Sequence, residues 1–143
     1  MAIQTYAPGE VHVSFKGKTV TGFGDEIVSV KRNEMLFTTV VGADGEVTRV
    51  KNSNKTGEVK ITVKQTSAAN ALLGAIVEKD EITGDQVGAL MIKDNNGHTM
   101  WSGEGWLAGW PEAVDRGKDA KDQIWTIHCS AISFTFAERP TAA

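Results

Sequence analysis

Apolar and polar residues alternate strictly near the middle of the chain, where Val59, Ile61 and Val63 are interleaved with Glu58, Lys60, Thr62 and Lys64. A period of two puts the branched side chains on one face of a strand and the charged ones on the other. Residues 58–65 therefore predict a strand with one buried and one wet side. Past Gln65 the period changes. Thr66 or Ser67 can cap a helix over residues 67–79, in which Ala68, Ala71, Leu72, Ala75 and Ile76 fall on one side. Upstream, Gly42-Ala43-Asp44-Gly45 separates two apolar-containing runs, 35–41 and 46–51, and supplies residues that tolerate the positive φ of a tight turn. These runs predict a hairpin, joined to the alternating strand by the turn-rich stretch 52–57 (NSNKTG).

The same pattern reads along the rest of the chain. Val11, Val13 and Phe15 alternate with His12 and Ser14 before Lys16-Gly17-Lys18 turns the chain. Further strands are predicted at 19–23, at 26–31 (where Ile27 and Val28 break the alternation) and at 87–93. Asp94-Asn95-Asn96-Gly97 is a strong turn signal, and 98–106 can return as the hairpin partner. Residues 107–122 contain Gly, Pro and charges and predict a long surface loop. The last strand, 123–136, changes phase. Trp125, Ile127, Cys129 and Ala131 share one face, whereas Ile132, Phe134 and Phe136 sit on the other. Such a slide needs a bulge, a bend or burial on both sides; a strand crossing between the sheets of a small barrel or sandwich would satisfy it. No internal repeat, low-complexity tract or interdomain linker interrupts the pattern. It predicts an all-β domain with one α-helix.

Composition narrows the function classes. A chain of 143 residues fits one domain, and 41% hydrophobic with 23% charged residues suffices for a core. A formal charge of −3 argues against the broad basic footprint of a duplex-binding protein. No apolar run approaches the ~20 residues of a membrane helix, and residues 1–6 lack the charged and apolar regions of a secretory signal. Cys129 is the single cysteine, which excludes an internal disulfide and multi-cysteine metal sites. The expectation is a soluble protein made in the cytoplasm, with no membrane contact.

A search for chemistry finds no catalytic set, no cofactor motif and no metal site. His12, His98 and His128 are far apart and lack metal-ligand spacing. His128 and Cys129 are adjacent, so on a strand they face opposite sides and cannot form a nucleophile pair. Cys129 shares its face with Trp125 and Ile127, where a buried, inert thiol is expected. Gly22-Phe23-Gly24-Asp25 and Gly103-Glu104-Gly105 match no phosphate-binding loop and read as turn glycines. Asp115, Asp119 and Asp122 lack the glycine and terminal glutamate of a calcium loop. Trp101, Trp106 and Trp110 raise the possibility of stacking on sugars or bases, but aromatic side chains in a small β-domain mostly fill a core or an interface.

With these elements in place, the sequence resembles the tail-tube proteins of contractile-tailed bacteriophages. The resemblance rests on Thr5-Tyr6-Ala7-Pro8 followed by 11–15 (VHVSF), Val20-Thr21-Gly22-Phe23, 28–32 (VSVKR), 41–49 (VGADGEVTR) and 57–70 (GEVKITVKQTSAAN), in that order. It covers the first half well and the second half loosely, and 107–122 least. It implies two packed antiparallel sheets closing into a β-barrel or sandwich, flanked by one helix, over 1–143, with an N-terminal arm (1–9) and a C-terminal tail (137–143). It also implies homohexameric rings joined sheet to sheet and stacked into a tube around a DNA channel. The implied partners are other copies of the chain, a tail sheath, baseplate and tail-terminator proteins, and DNA as transient cargo; the implied location is the virion tail, assembled in the host cytoplasm. Closing strands around a ring would also cover edges that are otherwise an aggregation hazard. The inter-subunit or stacking candidates are Gly42, Asp44, Glu46, Thr48, Arg49, Lys51, Asn52, Asn54 and Lys55. Glu58, Lys60, Thr62 and Lys64 are the candidates for the channel wall. Two alternatives stand beside this reading: a tube subunit of a bacterial contractile injection system, and a monomeric carbohydrate-binding β-domain.

Overall fold

Residue 9 and residues 11–94, 99–111 and 121–136 are described by the structure, a computed structural model of the chain. The expected arm up to residue 8, the C-terminal tail, the turn at 95–97, His98 and the loop segment 112–120 with Asp115 and Asp119 lie outside the described residues. The elements run β1 (Val11–Phe15), β2 (Lys18–Val20), β3 (Phe23–Arg32), β4 (Phe37–Val41), β5 (Val47–Lys51), β6 (Gly57–Lys64), α1 (Ala69–Thr83), β7 (Gly88–Asp94), β8 (Thr99–Leu107) and β9 (Asp122–Phe136).

Seven strands form one antiparallel sheet in the order β2-β1-β7-β8-β9-β6-β3, and β4-β5 form a second sheet of two strands. This corrects the expected architecture. Two antiparallel sheets are present, but they are not the two halves of a barrel or sandwich, and neither closes on itself. The short link Thr21-Gly22 connects β2 to β3 without a ladder between them, so both remain edges. Gly22 takes a positive φ of 74°, its carbonyl accepts from the Lys64 amide at 2.9 Å, and β3 then pairs with β6 instead.

α1 covers one face of the large sheet. It starts after Ser67, whose Oγ accepts from the Ala69 amide at 3.1 Å and donates to the Thr21 carbonyl at 2.7 Å. The cap position itself is Ala68. The helix runs a turn beyond the expected end and stops at Gly84, which is left-handed (φ 70°) and donates its amide to the Asp80 carbonyl at 2.7 Å. Next to that stop, hydrogen bonds from Thr83 and Gln86 hold the Asp85 carboxyl below the usual carboxylate range. The buried stripe is Ala69, Leu73, Gly74, Ile76 and Val77, one position away from the expected one. Ala68, Ala71 and Ala75 are exposed. Turning Leu73 and Val77 inward buries more apolar surface than an alanine stripe would. Against this stripe lie Val13, Phe15, Val59, Ile61, Val63, Leu90, Ile92, Trp125 and Ile127, all essentially inaccessible.

The phase change in β9 is a bulge. Glu104 pairs with Ala131 and Gly105 with Cys129, leaving Ser130 as the extra residue. One inserted residue brings Ile132 and Phe134 back to the core side that Trp125, Ile127 and Cys129 already occupy. The bulge crowds its neighbours. A Cβ on Gly105 would lie 2.3 Å from the His128 carbonyl oxygen, and one on Gly103 would lie 2.5 Å from that of Ala131. These two are strand glycines of β8, not the turn glycines the sequence suggested. A Cβ on Gly57 would meet Ile132 Cγ2 at 2.7 Å and the Lys31 carbonyl oxygen at 2.8 Å.

Two glycine substitutions should move stability in opposite directions. Gly105→Ala forces backbone apart and should destabilise by about 1–3 kcal/mol. Gly74→Ala meets only ordinary contacts, the nearest 3.5 Å away on Trp110, and should stabilise the helix by up to about 1 kcal/mol. Urea unfolding of the two variants beside the wild type checks both signs.

Candidate assembly interface

The β4–β5 hairpin grows out of the β3–β6 ladder. That ladder ends at Arg32 opposite Gly57 and is continued by the Asn33 amide donating to the Thr56 carbonyl at 3.0 Å. Asn33 Nδ2 donates to Thr56 Oγ1 at 2.9 Å, and the side chain of Asn52 bonds the Glu34 carboxylate. Asn52 Oδ1 accepts from the Asn54 amide at 2.9 Å, and Asn54 Oδ1 accepts from the Thr56 amide at 3.0 Å and its hydroxyl at 2.6 Å. These asparagine turns stiffen the stem. The β9 bulge anchors it: the Ile132 amide donates to the Lys55 carbonyl at 3.0 Å, and the Ile132 carbonyl accepts from Arg32 Nε at 3.1 Å and Nη2 at 2.7 Å.

The tip is built as its sequence predicts. Gly45 (φ 85°) donates to the Gly42 carbonyl at 2.9 Å, Gly42 donates to that of Glu46 at 2.8 Å, and Asp44 Oδ1 accepts from the Glu46 amide at 3.1 Å. A turn closed by a left-handed glycine is a common three-residue hairpin loop. Between tip and stem, every residue of both strands is exposed. Pairing puts Phe37, Val41, Val47, Arg49 and Lys51 on one face and Thr38, Val40, Thr48 and Val50 on the other. Val41 is 62% and Val47 63% exposed, against 0% for Val59 in the sheet. The Arg49 guanidinium lies 4.1 Å from the Phe37 ring centre and shields part of that face.

The nine residues singled out from sequence thus fall in one projecting element, with two kinds of environment. Gly42, Asp44, Glu46, Thr48, Arg49, Lys51 and Lys55 are at the surface, whereas Asn52 and Asn54 are half-buried and spend their side chains on the stem. The residues missed were the apolar ones, Leu36, Phe37, Val40, Val41, Val47 and Val50. Their signal was available in the pairing, since no register gives this hairpin a polar face free of valines.

The second candidate set lies on the sheet face opposite α1. Glu58 and Lys60 are 4.0 Å apart. Glu58 stands between Lys31 of β3 and His128 of β9, and Lys64 pairs across from Asp122. Lys60 and Lys64 are exposed, Glu58 half-buried, and Thr62 buried beside Ile124. Charges of opposite sign thus meet at Lys31–Glu58 and Lys64–Asp122, whereas Lys60 lies between Ser29 and Thr126.

Among the described residues neither a histidine pair nor a tryptophan cluster forms. His12 and His128 sit on strands separated by β7 and β8, and no group of three or more His, Cys, Asp or Glu could hold a metal among the described residues. Trp101 packs edge-on against Phe134 on the core side, with ring centres 6.2 Å apart. Trp106 lies on the other face by His128, and Trp110 leans on Trp125 beside the helix. The three share no cleft.

Comparison with known proteins decides what this scaffold is. A family model described as the bacteriophage PhiTE tail tube protein matches residues 5–136. The chain belongs to that tail tube family. It is a structural protein and not an enzyme. A curated relative, structural protein ORF10 of Pseudomonas phage KPP10, is 36% identical over 118 residues, spanning 76% of this chain and 68% of the relative. The fold of the present chain is also that of chains in cryo-EM structures of two other assemblies. A chain of the anti-feeding prophage cap, a tube-terminating cap, matches with a TM-score of 0.58 at 13% identity, over 96% of this chain and 95% of that one. A chain of the sheath-tube complex of the extracellular contractile injection system PVC, in its extended state, matches with a TM-score of 0.57 at 12% identity, over 93% of each.

In this tail tube protein Cys129 is buried against Gly105, and burial pushes its thiol up from the ordinary value. A scarce thiolate without solvent access should react slowly. Native protein should take up a bulky thiol reagent only at the rate of unfolding. Cys129→Ser should cost about 1–3 kcal/mol through its unpaired hydroxyl and leave assembly intact at low temperature. Fast labelling would place the thiol at the surface.

Proposed function

We propose that the chain is the repeating subunit of a tube, forming homohexameric rings that stack and guide cargo through a central channel. The observation that carries this reading is the hairpin: a well-formed element, with apolar residues on both faces, that nothing among the described residues covers. A two-stranded hairpin is marginal in water by itself, and an apolar surface of this kind marks an interaction site. The unpaired edges β2 and β3 are the second support, since lateral pairing between neighbours would remove an aggregation hazard.

In the ring, β2 and β3 of adjacent copies face one another and the hairpin reaches the next ring. The polar face carrying Glu58, Lys60, Thr62 and Lys64 turns towards the channel, and α1 turns outward to a sheath-like partner. Mixed charges suit such a wall. A lumen of unrelieved lysine would gain counterion-release free energy from DNA and hold it, whereas Glu58 and Asp122 offset Lys60 and Lys64. The family and the phage relative support a virion tail with DNA as transient cargo. The fold shared with the PVC sheath-tube complex supports a contractile injection system at least as well, because tube building is common to both. Neighbouring genes for capsid and genome packaging would separate the two. The carbohydrate-binding alternative has no support, since its tryptophans do not converge.

Purified protein should form rings or tubes in negative-stain electron micrographs, with six-fold class averages. Excising residues 35–51 and joining Glu34 to Asn52 through a short turn should leave a folded subunit with native-like circular dichroism that stacks at least tenfold less. Tubes of normal length from that variant would overturn the role given to the hairpin.

A further inference from the structure

Beside the C-terminal half of α1 lies a groove of about 470 Å³, floored by Val77, Leu107, Ala108 and Trp110 and rimmed by Asp80 and Glu81. Trp110 is 54% exposed there. The carboxylates sit at the end of the helix where the dipole is negative, and no basic residue balances them in the last turn. Asp80 Oδ1 accepts from the Gln86 amide at 3.2 Å, whereas Glu81 is exposed and gains nothing from the helix dipole. Val77 and Leu107 are buried beneath the groove, and Ala108 and Trp110 are its exposed apolar surface.

The hairpin face bearing Val41, Val47, Arg49 and Lys51 has the matching chemistry. It offers apolar side chains flanked by two cations, and β5 carries no carboxylate. The hairpin's own acids, Asp44 and Glu46, are confined to the tip. We propose that the hairpin of one subunit docks in this groove on a second copy, with Val41 and Val47 over Trp110 and Ala108, and Arg49 or Lys51 on Glu81. The hairpin departs beyond the Arg32–Gly57 pair, whereas Trp110 lies over Trp125, which pairs with Ile61 well along β6. Hairpin and groove are therefore different surfaces. A contact between two different surfaces propagates from copy to copy instead of closing a dimer, as ring stacking requires. This contact rests on the tube reading and specifies its acceptor surface.

Cysteine placement tests it. Val47→Cys and Ala108→Cys are both exposed substitutions, so each single variant should fold and assemble. Mixed, assembled and treated with a short bismaleimide, they should give a covalent dimer that each variant alone does not, and that vanishes on dilution below the assembly threshold. Glu81→Arg should cut the assembled fraction at least tenfold, and adding Arg49→Glu should restore most of it. Wild-type protein that never assembles would overturn the tube reading and this contact together. Tubes that form normally while Val47→Cys links only to other positions, such as Lys60→Cys, would overturn the groove contact and leave the tube reading standing.

Discussion

A single inserted residue, Ser130, sets most of the geometry. By bulging β9 it lets one long strand keep its apolar side chains on the core face from Trp125 to Phe134. It also detaches β9 from its regular ladder at the point where β3 and β6 leave the sheet. The freed backbone groups of Ile132 are then taken by the Lys55 carbonyl and the Arg32 guanidinium. Buried backbone groups must be paired, so the bulge and the hairpin stem complete one another. Gly57, Gly103 and Gly105 are small because this junction brings backbones too close for a Cβ.

The outcome is a subunit with two grades of stability. The seven-stranded sheet and α1 enclose an apolar core. The β4–β5 hairpin has its own ladder, its own tip and a rigid stem, but its valines face water. Fully burying one such side chain is worth about 1.5–3 kcal/mol, and half a dozen are available. Even partial cover by a neighbour offsets a good part of the rotational and translational cost of association. In the proposed tube, assembly would draw on surface that the fold presents and does not use. The charged face behind the sheet is built oppositely, with Glu58 beside Lys60 and Lys31, and Asp122 across from Lys64.

Much of this was legible in the residues because each element's pattern is local. Alternation at Val59–Val63, the Gly-Asp turn of the hairpin and the phase slip in β9 each have one physical reading, and the bulge was among the options the slip allowed. The helix face was misjudged because an alanine stripe and a Leu-Ile-Val stripe overlap by a single residue's rotation, and only the sheet beneath decides between them. The barrel was misjudged for a related reason: whether two edge strands pair depends on how far the sheet bends, which no local pattern records. The asparagines of 52–56 looked like contact residues, yet side-chain amides satisfy backbone in a stem as readily as they meet a partner. The pairing of the hairpin already put valines on both faces, but valines in a strand ordinarily announce burial within the same subunit, so their exposure was hidden.

Amide hydrogen exchange, compared between dilute subunit and assembled tube, tests the central claim most directly. In the subunit, amides of β6, β8 and β9 should exchange slowly, while those of β4 and β5 should exchange orders of magnitude faster, as expected of a ladder open to local unfolding. In the tube, β4 and β5 should become as protected as the sheet. Equal protection of the hairpin in both states, or a hairpin still exchanging freely in the tube, would contradict the account.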